Sequence, residues 1–239
     1  SACYSFVHQC GNTPHRLWPR VRTELRWISA LLPMFQSTIS TGWSQDIFAS
    51  DSSPYGYGIC HRTVSDSTAR VIGSQCERWR FRFEDAVDAR KHAGKIVGAE
   101  LEAGKLPDLH TVHDFSQKLD FNRRDFHEVP LEVLKPESWS VVWSHPWAHE
   151  DNILHTEALA LVWAVEHALR SNRNLNKRLL FLCDNLLLAL SASKGRGKSG
   201  HLLQPLRKIC ALSLACGSKV NVRWIPSEWN CTDRPSRAL

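Results

Sequence analysis

Apolar residues recur at every third or fourth position in three long stretches of the chain, and this spacing predicts helices. The first stretch, 17–35 ("LWPRVRTELRWISALLPMF"), predicts an amphipathic helix that ends near Pro33. The second, 153–170 ("ILHTEALALVWAVEHALR"), predicts a longer helix. The third, 201–217, predicts a helix that Gly217 closes. A short helix before the loop "SKGRGKSG" and a terminal turn or helix complete the helical pattern.

Five shorter runs have the composition of strands. They are "DIFASD" (46–51), "GYGICHRTV" (56–64), "SWSVVWSHPW" (138–147), "RLLFLCDN" (178–185) and "KVNVRWIP" (219–226). The fourth run is apolar without alternation, which predicts a strand buried on both faces of a sheet. The first two runs are joined by a turn, whereas helices separate the later ones. This order predicts an α/β fold with a mixed sheet and helices packed on its faces.

Segment 74–135 interrupts this pattern between the second and third strands. It is dense in charge and has little regular periodicity. We interpret it as a long insertion with partial helix, peripheral to the core.

Composition limits the class of protein. The 239 residues are 43% hydrophobic and 23% charged, which is typical of a globular chain with one large domain or a domain plus an appended segment. No apolar run reaches 18 residues and no signal peptide opens the sequence, so we predict no membrane association. The chain begins with Ser1, which indicates a fragment of a longer polypeptide or a processed N-terminus. The net charge of +6 modestly favours a polyanionic partner.

The cysteines and histidines argue against two common kinds of site. None of the eight cysteines forms a CxxC pair, and several lie inside apolar segments. This pattern favours buried, reduced thiols of an intracellular protein, in the cytoplasm or the nucleus, over a disulfide framework or a zinc–thiolate site. The histidines show no HExxH motif, so zinc-dependent hydrolysis is unsupported.

Four acidic residues stand out by position: Asp51, Glu157, Asp184 and Asp233. Each has a structural alternative, because Asp51 suits a turn, Glu157 suits a helix N-terminus, and the other two suit helix caps. Together they suit another purpose, since carboxylates in apolar surroundings are costly unless paired or bound to a cation. Converging carboxylates favour Mg²⁺ or Mn²⁺, and two such ions can promote phosphodiester hydrolysis without a covalent nucleophile.

At this point the sequence resembles the ribonuclease H domain of retroelement reverse transcriptases, with the DIRS-like group as the nearest match. The resemblance rests on "ASDSSPYGYGI", "HTEALALVWAVEHAL", "LLFLCDNLLLALSASKGRGKS" and "VNVRWIPSEWNCTDRPSR". It covers most of residues 45–70 and 138–237, and the order of the four acids is its most specific feature.

The resemblance implies a ribonuclease H-like, five-stranded mixed sheet and two-metal hydrolysis of the RNA strand in RNA–DNA hybrids. It assigns the catalytic and metal-ligand roles to the four acids named above, with two Mg²⁺ or Mn²⁺ ions as cofactors. It also implies a domain at 46–239, with residues 1–45 as the tail of a polymerase or connection region in the same polyprotein. The family often has a histidine in a loop before its last aspartate. This chain lacks it, and Glu228 or Asn230 is the nearest substitute.

Basic residues after the fourth strand are candidates for contacts with nucleic acid. Lys194, Arg196 and Lys198 lie in a Gly-rich loop, where backbone and side chains can approach phosphates. Asn185 and Ser52, each next to a candidate ligand, are assigned to the same surface. The alternative is a solvated loop between helices.

Two other functions remain open at this stage. One is a catalytically silent module of the same fold that binds template–primer duplex. The other is the core of a related DNA nuclease or transposase.

Overall fold

The computed structural model describes residues 2–11, 13–34, 40–80, 125–197 and 199–237. The chain divides into two compact units, Ser1–Ser40 and Thr41–Leu239. In the first unit, helix α1 (Ala2–Cys10) contacts helix α2 (Pro19–Leu31), which leads into a 3₁₀ turn, Leu32–Met34. The predicted helix near the N-terminus is therefore confirmed, and α1 is an addition to it. Whether residues 1–45 belong to a polymerase region stays a prediction.

The second unit is built on a five-stranded sheet. Its strands are β1 (Trp43–Ser52), β2 (Gly56–Thr63), β3 (Ser140–Pro146), β4 (Arg178–Cys183) and β5 (Lys219–Trp224). Their order across the sheet is β3-β2-β1-β4-β5. The β1–β2 and β2–β3 pairs are antiparallel, whereas β1–β4 and β4–β5 are parallel. All five predicted strands are present, and the ribonuclease H-like mixed sheet is confirmed by this order and these directions.

Helices flank the sheet. They are α3 (Asp66–Ser74), α4 (Leu131–Leu134), α5 (Ile153–Leu169), α6 (Leu186–Lys194), α7 (Gly200–Ala215) and α8 (Asp233–Arg237). In the described part of this unit, 3₁₀ turns join these elements at Glu77–Trp79, Pro136–Ser138, Asn172–Asn174 and Ser227–Trp229. Among the residues described, no helix combines the length and the apolar character needed to cross a bilayer.

Local signals in the sequence explain where several helices begin and end. Asn152 and Asn185 cap α5 and α6, because their side-chain oxygens accept backbone N–H groups of the first turn. Gly195 and Gly217, which follow α6 and α7, have φ of +64° and +59°. Glycine adopts this left-handed conformation at little cost, so both helices stop there.

Two layers of apolar side chains cover the two faces of the sheet. Strand β4 contributes to both, because Leu179 and Phe181 pack in one layer and Leu180 and Leu182 in the other. The first layer is completed by α5, α6 and α7, and the second by α3 and α4. The predicted double burial of this strand is confirmed.

The ends of segment 74–135 are part of the core, so the prediction that the segment is peripheral is wrong for its described residues. Val129, Val133 and Leu134 pack in the second apolar layer. Glu77 and Arg80, at the other end, are fully buried or nearly so. Residues 81–124 lie outside the described part of the chain.

Candidate active site

The parallel pairing of β1 and β4 brings Asp51 and Asp184 to the same edge of the sheet. Asp51 is the penultimate residue of β1, and Asp184 directly follows β4. Because parallel strands end on the same side, both carboxylates lie at one edge. Asp51 is only 6% exposed, and Asp184 lies close enough for its charge to affect the ionisation of Asp51.

Helix α5 brings Glu157 to the same place. The residue lies in the second turn of the helix, and it is 7% exposed. Its carboxyl group interacts electrostatically with both Asp184 and Asp51. The side chain of Asn185, the cap of α6, lies beside Glu157 and favours its charged form.

Asp233 joins the cluster because α8 packs closely on β2. Gly58 lies opposite Asp51 in the β1–β2 pairing. A Cβ atom at Gly58 would lie 2.8 Å from the backbone oxygen of Thr232 and 3.0 Å from the backbone nitrogen of Ser236. Glycine at this position therefore lets α8 approach the strand. The charge of Asp233 then acts on both Asp51 and Asp184.

Hydroxyl groups hold two of the acids in place. Ser236 Oγ donates to Asp51 Oδ2 at 2.8 Å, and Ser227 Oγ donates to Asp184 Oδ2 at 2.8 Å. Trp224 Nε1 donates to the backbone oxygen of Asp184 at 2.8 Å. The amide of Asn230 lies near enough to Asp184 to favour its charged form, although its nitrogen does not meet the geometry of a hydrogen bond.

Burial and mutual repulsion raise the pKa values of three of these carboxyl groups. Burial raises the pKa of Asp51 to about 8, and the charge of Asp184 adds to the rise. Burial also raises the pKa of Glu157 well above its usual range, with contributions from Asp184 and Asp51. Burial raises the pKa of Asp184, although the hydrogen bond from Ser227 opposes the change. Each of these groups would gain from a nearby positive charge.

The donor set fits divalent cations. Among the described residues, no Lys, Arg or His forms an ion pair with Asp51, Glu157 or Asp184, whereas Asp233 Oδ1 lies 2.7 Å from Arg237 Nη2. Carboxylate oxygens are the ligands that Mg²⁺ and Mn²⁺ prefer. In the described chain, no three of the four acids place ligand oxygens all within 4.8 Å of one another. The cluster is therefore wider than the shell of one Mg²⁺ ion, about 4.2 Å across for bonds of 2.1 Å.

The structure thus brings the four predicted ligands together. Of the three basic residues predicted to contact nucleic acid, two lie in the described part of the chain. Lys194 is the last residue of α6 and is partly exposed, and Arg196 is exposed. Lys198 lies outside the described residues. A Cβ atom at Gly197 would lie 2.6 Å from Leu202 Cβ, so close packing alone accounts for that glycine. Contacts with nucleic acid at this loop stay a prediction.

Ser52 and Asn185, also predicted to contact nucleic acid, are both buried. The hydroxyl of Ser52 accepts from Trp147 Nε1 at 3.2 Å, and Asn185 Oδ1 accepts from the backbone N–H of Leu188 at 2.9 Å. Both side chains therefore have structural partners, and Asn185, not Asp184, caps the helix that follows. Their role in binding also stays a prediction.

Sequence reasoning missed the residues that position the acids. Ser236 lies within the closing motif "DRPSR", but nothing in its spacing shows that its hydroxyl reaches Asp51. Ser227 and Gly58 were missed for the same reason, since their partners are distant in sequence. A serine close to a candidate ligand is the only signal that the sequence offers.

No protein-family model matches the chain, and no curated protein does. Two solved structures are similar to it. One is LC11-RNase H1, isolated from compost by a metagenomic approach, with a TM-score of 0.40 and 12% identity over 82% of this chain and 97% of the other. The second is a foamy viral protease-reverse transcriptase in complex with RNA/DNA hybrid, with a TM-score of 0.31 and 10% identity. That match covers 99% of this chain but 44% of the viral chain.

Proposed function

We propose that this protein is a metal-dependent endonuclease that hydrolyses the RNA strand of RNA–DNA hybrids. The observation that carries the proposal is the set of mutually repelling carboxyl groups of Asp51, Glu157 and Asp184, which lack an ion-pair partner among the described residues. The first two are buried and Asp184 is half-buried. Such an arrangement is unfavourable by itself and becomes favourable when cations bind. Because Asp51 and Asp184 lie at the ends of parallel strands, the acid cluster lies at an edge of the sheet rather than in the apolar core.

Asp51, Glu157, Asp184 and Asp233 would hold two Mg²⁺ or Mn²⁺ ions. When bound, such ions supply a more acidic water molecule and neutralise charge on a phosphodiester. The protein contributes orientation, because Ser236 donates a hydrogen bond to one oxygen of Asp51 and Ser227 donates one to one oxygen of Asp184. Asp233 is oriented by its pairing with Arg237.

Proton release accompanies cation binding at this cluster. With its pKa near 8, the Asp51 carboxyl group is largely protonated at neutral pH until a cation displaces its proton. The affinity for the cations therefore rises with pH. The pKa values of Glu157 and Asp184 are also raised, so their ionisation contributes to the pH dependence in the same direction.

The substrate would be held mainly through its phosphates. Lys194 ends the helix that Asn185 caps, and Arg196 and Lys198 follow it in the sequence. Positive side chains there can neutralise backbone phosphates, and contacts with 2′-hydroxyl groups distinguish RNA from DNA. We also propose that the domain belongs to a DIRS-like retroelement reverse transcriptase, with the polymerase in the same polyprotein. This part of the proposal rests on the resemblance of the four motifs.

The decisive experiment measures cleavage of an end-labelled RNA–DNA hybrid with Mg²⁺ or Mn²⁺. We expect cutting of the RNA strand alone, with a loss of about 10²–10³-fold in Asp184→Asn, the range for removal of one strong electrostatic element. Asp66→Asn, which changes an exposed acid outside the cluster, serves as the matched control and should cleave like the wild type.

The other outcomes identify the alternatives. A folded protein that binds the hybrid without cutting it would be the silent module. Cutting of duplex DNA in preference to the hybrid would indicate a DNA nuclease or transposase core. Equal activity of wild type and Asp184→Asn would contradict the proposed site.

A further inference from the structure

A second group of potential metal ligands lies outside the four-acid cluster. Asp151, His155 and His201 each offer one ligand atom, and these three atoms lie within 4.8 Å of one another. Of the described residues, only these three form such a group. None of them is a member of the acid cluster or of the basic loop.

The three residues lie near the starts of two helices, α5 and α7. Asp151 and His155 lie at the start of α5, and His201 lies in the first turn of α7, which packs along α5. The rings of His155 and His201 are 5.7 Å apart between centroids. The three residues are separated by β4 and α6 in sequence, so only the packing of α5 and α7 brings them together.

The carboxylate of Asp151 is already oriented and charged. One of its oxygens accepts the backbone N–H of Asn152, and the other lies 2.6 Å from His155 Nδ1. These hydrogen bonds lower the pKa of Asp151, so the group carries its negative charge without a metal ion.

An ion pair at the start of a helix would account for only part of this arrangement. Asp151 and His155 are four residues apart and form such a pair without help from elsewhere. The pair of Asp151 and His155 does not explain why His201 lies beside them, because His201 belongs to another helix. Its position is explained if all three residues share one ion.

The ligand chemistry distinguishes this group from the acid cluster. Two imidazoles and one carboxylate suit Zn²⁺ and similar transition metals, whereas Mg²⁺ prefers oxygen ligands alone. Three protein ligands leave a coordination position for water. Asp151 and His201 are exposed, so an ion can enter from solvent.

We propose that Asp151, His155 and His201 bind one transition-metal ion of the Zn²⁺ class, which ties the start of α5 to the start of α7. Glu157 follows His155 by two residues, and Lys194, at the end of α6, and Arg196 precede the start of α7. The ion would therefore brace the two segments that carry a candidate catalytic acid and the candidate phosphate contacts. The proposal concerns metal binding and does not depend on nuclease activity.

The test is titration of tag-free, chelator-treated protein with Co²⁺, whose visible absorption reports nitrogen and oxygen coordination. Excess Mg²⁺ is present throughout so that it occupies sites made of oxygen ligands. We expect one equivalent of tightly bound, absorbing Co²⁺, which Zn²⁺ displaces. His155→Ala and His201→Ala should weaken binding by at least about 100-fold, since even an outer partner of a metal ligand is worth about 10–100-fold.

His149→Ala is the matched control, because this exposed histidine lies on the same segment but outside the group. It should bind Co²⁺ like the wild type. In a second readout, Zn²⁺ at 100 times its Kd should raise the Tm of wild type by about 5 °C or more. His201→Gln should lose this shift while retaining the Tm of the metal-free wild type, because His201 is exposed. Binding of equal strength in wild type and both His→Ala variants, or none in the wild type, would overturn the proposal.

Discussion

Among the described residues, the network around Glu77 and the acid cluster both contain ionisable groups that are largely removed from solvent, and their charges are compensated differently. In one, Glu77 accepts hydrogen bonds from Arg223 and Arg80, each at 2.7 Å, and Arg80 also pairs with Glu128. Two positive and two negative charges balance there. In the other, at the edge of the sheet, Asp51, Glu157 and Asp184 repel one another and have no balancing cation among the described residues.

The ionisation of the two groups reflects this difference. Burial lowers the pKa of Arg80, but Glu77 and Glu128 outweigh that effect and raise it overall. In the acid cluster, burial and neighbouring charges act in the same direction, and the pKa values of the carboxyl groups rise. The charges of the network around Glu77 therefore compensate one another, whereas no positive side chain among the described residues compensates Asp51, Glu157 and Asp184.

The largest effect is expected from breaking the balanced network. Glu77→Gln should lower the free energy of unfolding by about 3–5 kcal/mol, because it leaves the buried guanidinium groups of Arg223 and Arg80 without their shared partner. Urea denaturation followed by circular dichroism measures this change. Glu166→Gln, which breaks the exposed pair with Lys208, is the control and should cost at most about 1 kcal/mol. Equal effects of the two substitutions would show that burial does not distinguish these pairs.

A smaller effect is expected from displacing α8 without removing an acid. Gly58→Ala should destabilise the domain by about 1–3 kcal/mol, the usual range for overpacking, because the added methyl group meets backbone atoms of the segment leading into α8. The same substitution should reduce hybrid cleavage, since Asp233 and Ser236 move away from Asp51. Denaturation and cleavage assays on one preparation measure both effects. Gly200→Ala, where a Cβ atom meets nothing within 4 Å, should leave both unchanged.

The smallest effect is expected from neutralising one acid in the metal-free protein. Unlike the two substitutions above, this change should raise the free energy of unfolding at high pH. The pKa of Asp51 is about 8 in the folded state, above its ordinary value of 3.8, so the folded state binds more protons between these pH values. Stability from this group is complete below about pH 4 and is lost as the pH rises towards 8. Asp51→Asn avoids this loss.

Relative to wild type, Asp51→Asn should therefore be more stable at pH 9 than at pH 5, by at least about 1.4 kcal/mol, the equivalent of one pKa unit. Denaturation in the presence of a chelator at the two pH values measures the difference. A pH-independent difference between variant and wild type would contradict the raised pKa of Asp51.

Local patterns were sufficient for most of the fold. The periodicity of 153–170 and 201–217 and the apolar run at 178–185 predicted α5, α7 and β4 closely, because burial of a face or of a whole strand is recorded in adjacent residues. Helix α3 was missed between the second strand and the insertion. Its signal was present in the serine-rich start at Ser65, whose hydroxyl accepts the N–H of Thr68 at 3.0 Å.

The buried ends of segment 74–135 were also missed, for a different reason. Charge density there indicated exposure, but Glu77 and Arg80 are buried because Arg223, more than a hundred residues away, completes their network. The burial of a charged residue can be predicted only when its partner in the folded chain is known.

The sequence by itself determined the identity and order of the four acids and the strands and helices that carry three of them. Only the tertiary structure decided that these acids share one edge of the sheet, that Ser236 and Ser227 orient two of them, and that Asp151, His155 and His201 meet. The physical reason is the range of the interactions. Periodicity and capping act between neighbours in the chain, whereas electrostatic coupling and metal ligation depend on distances that only the packed fold sets.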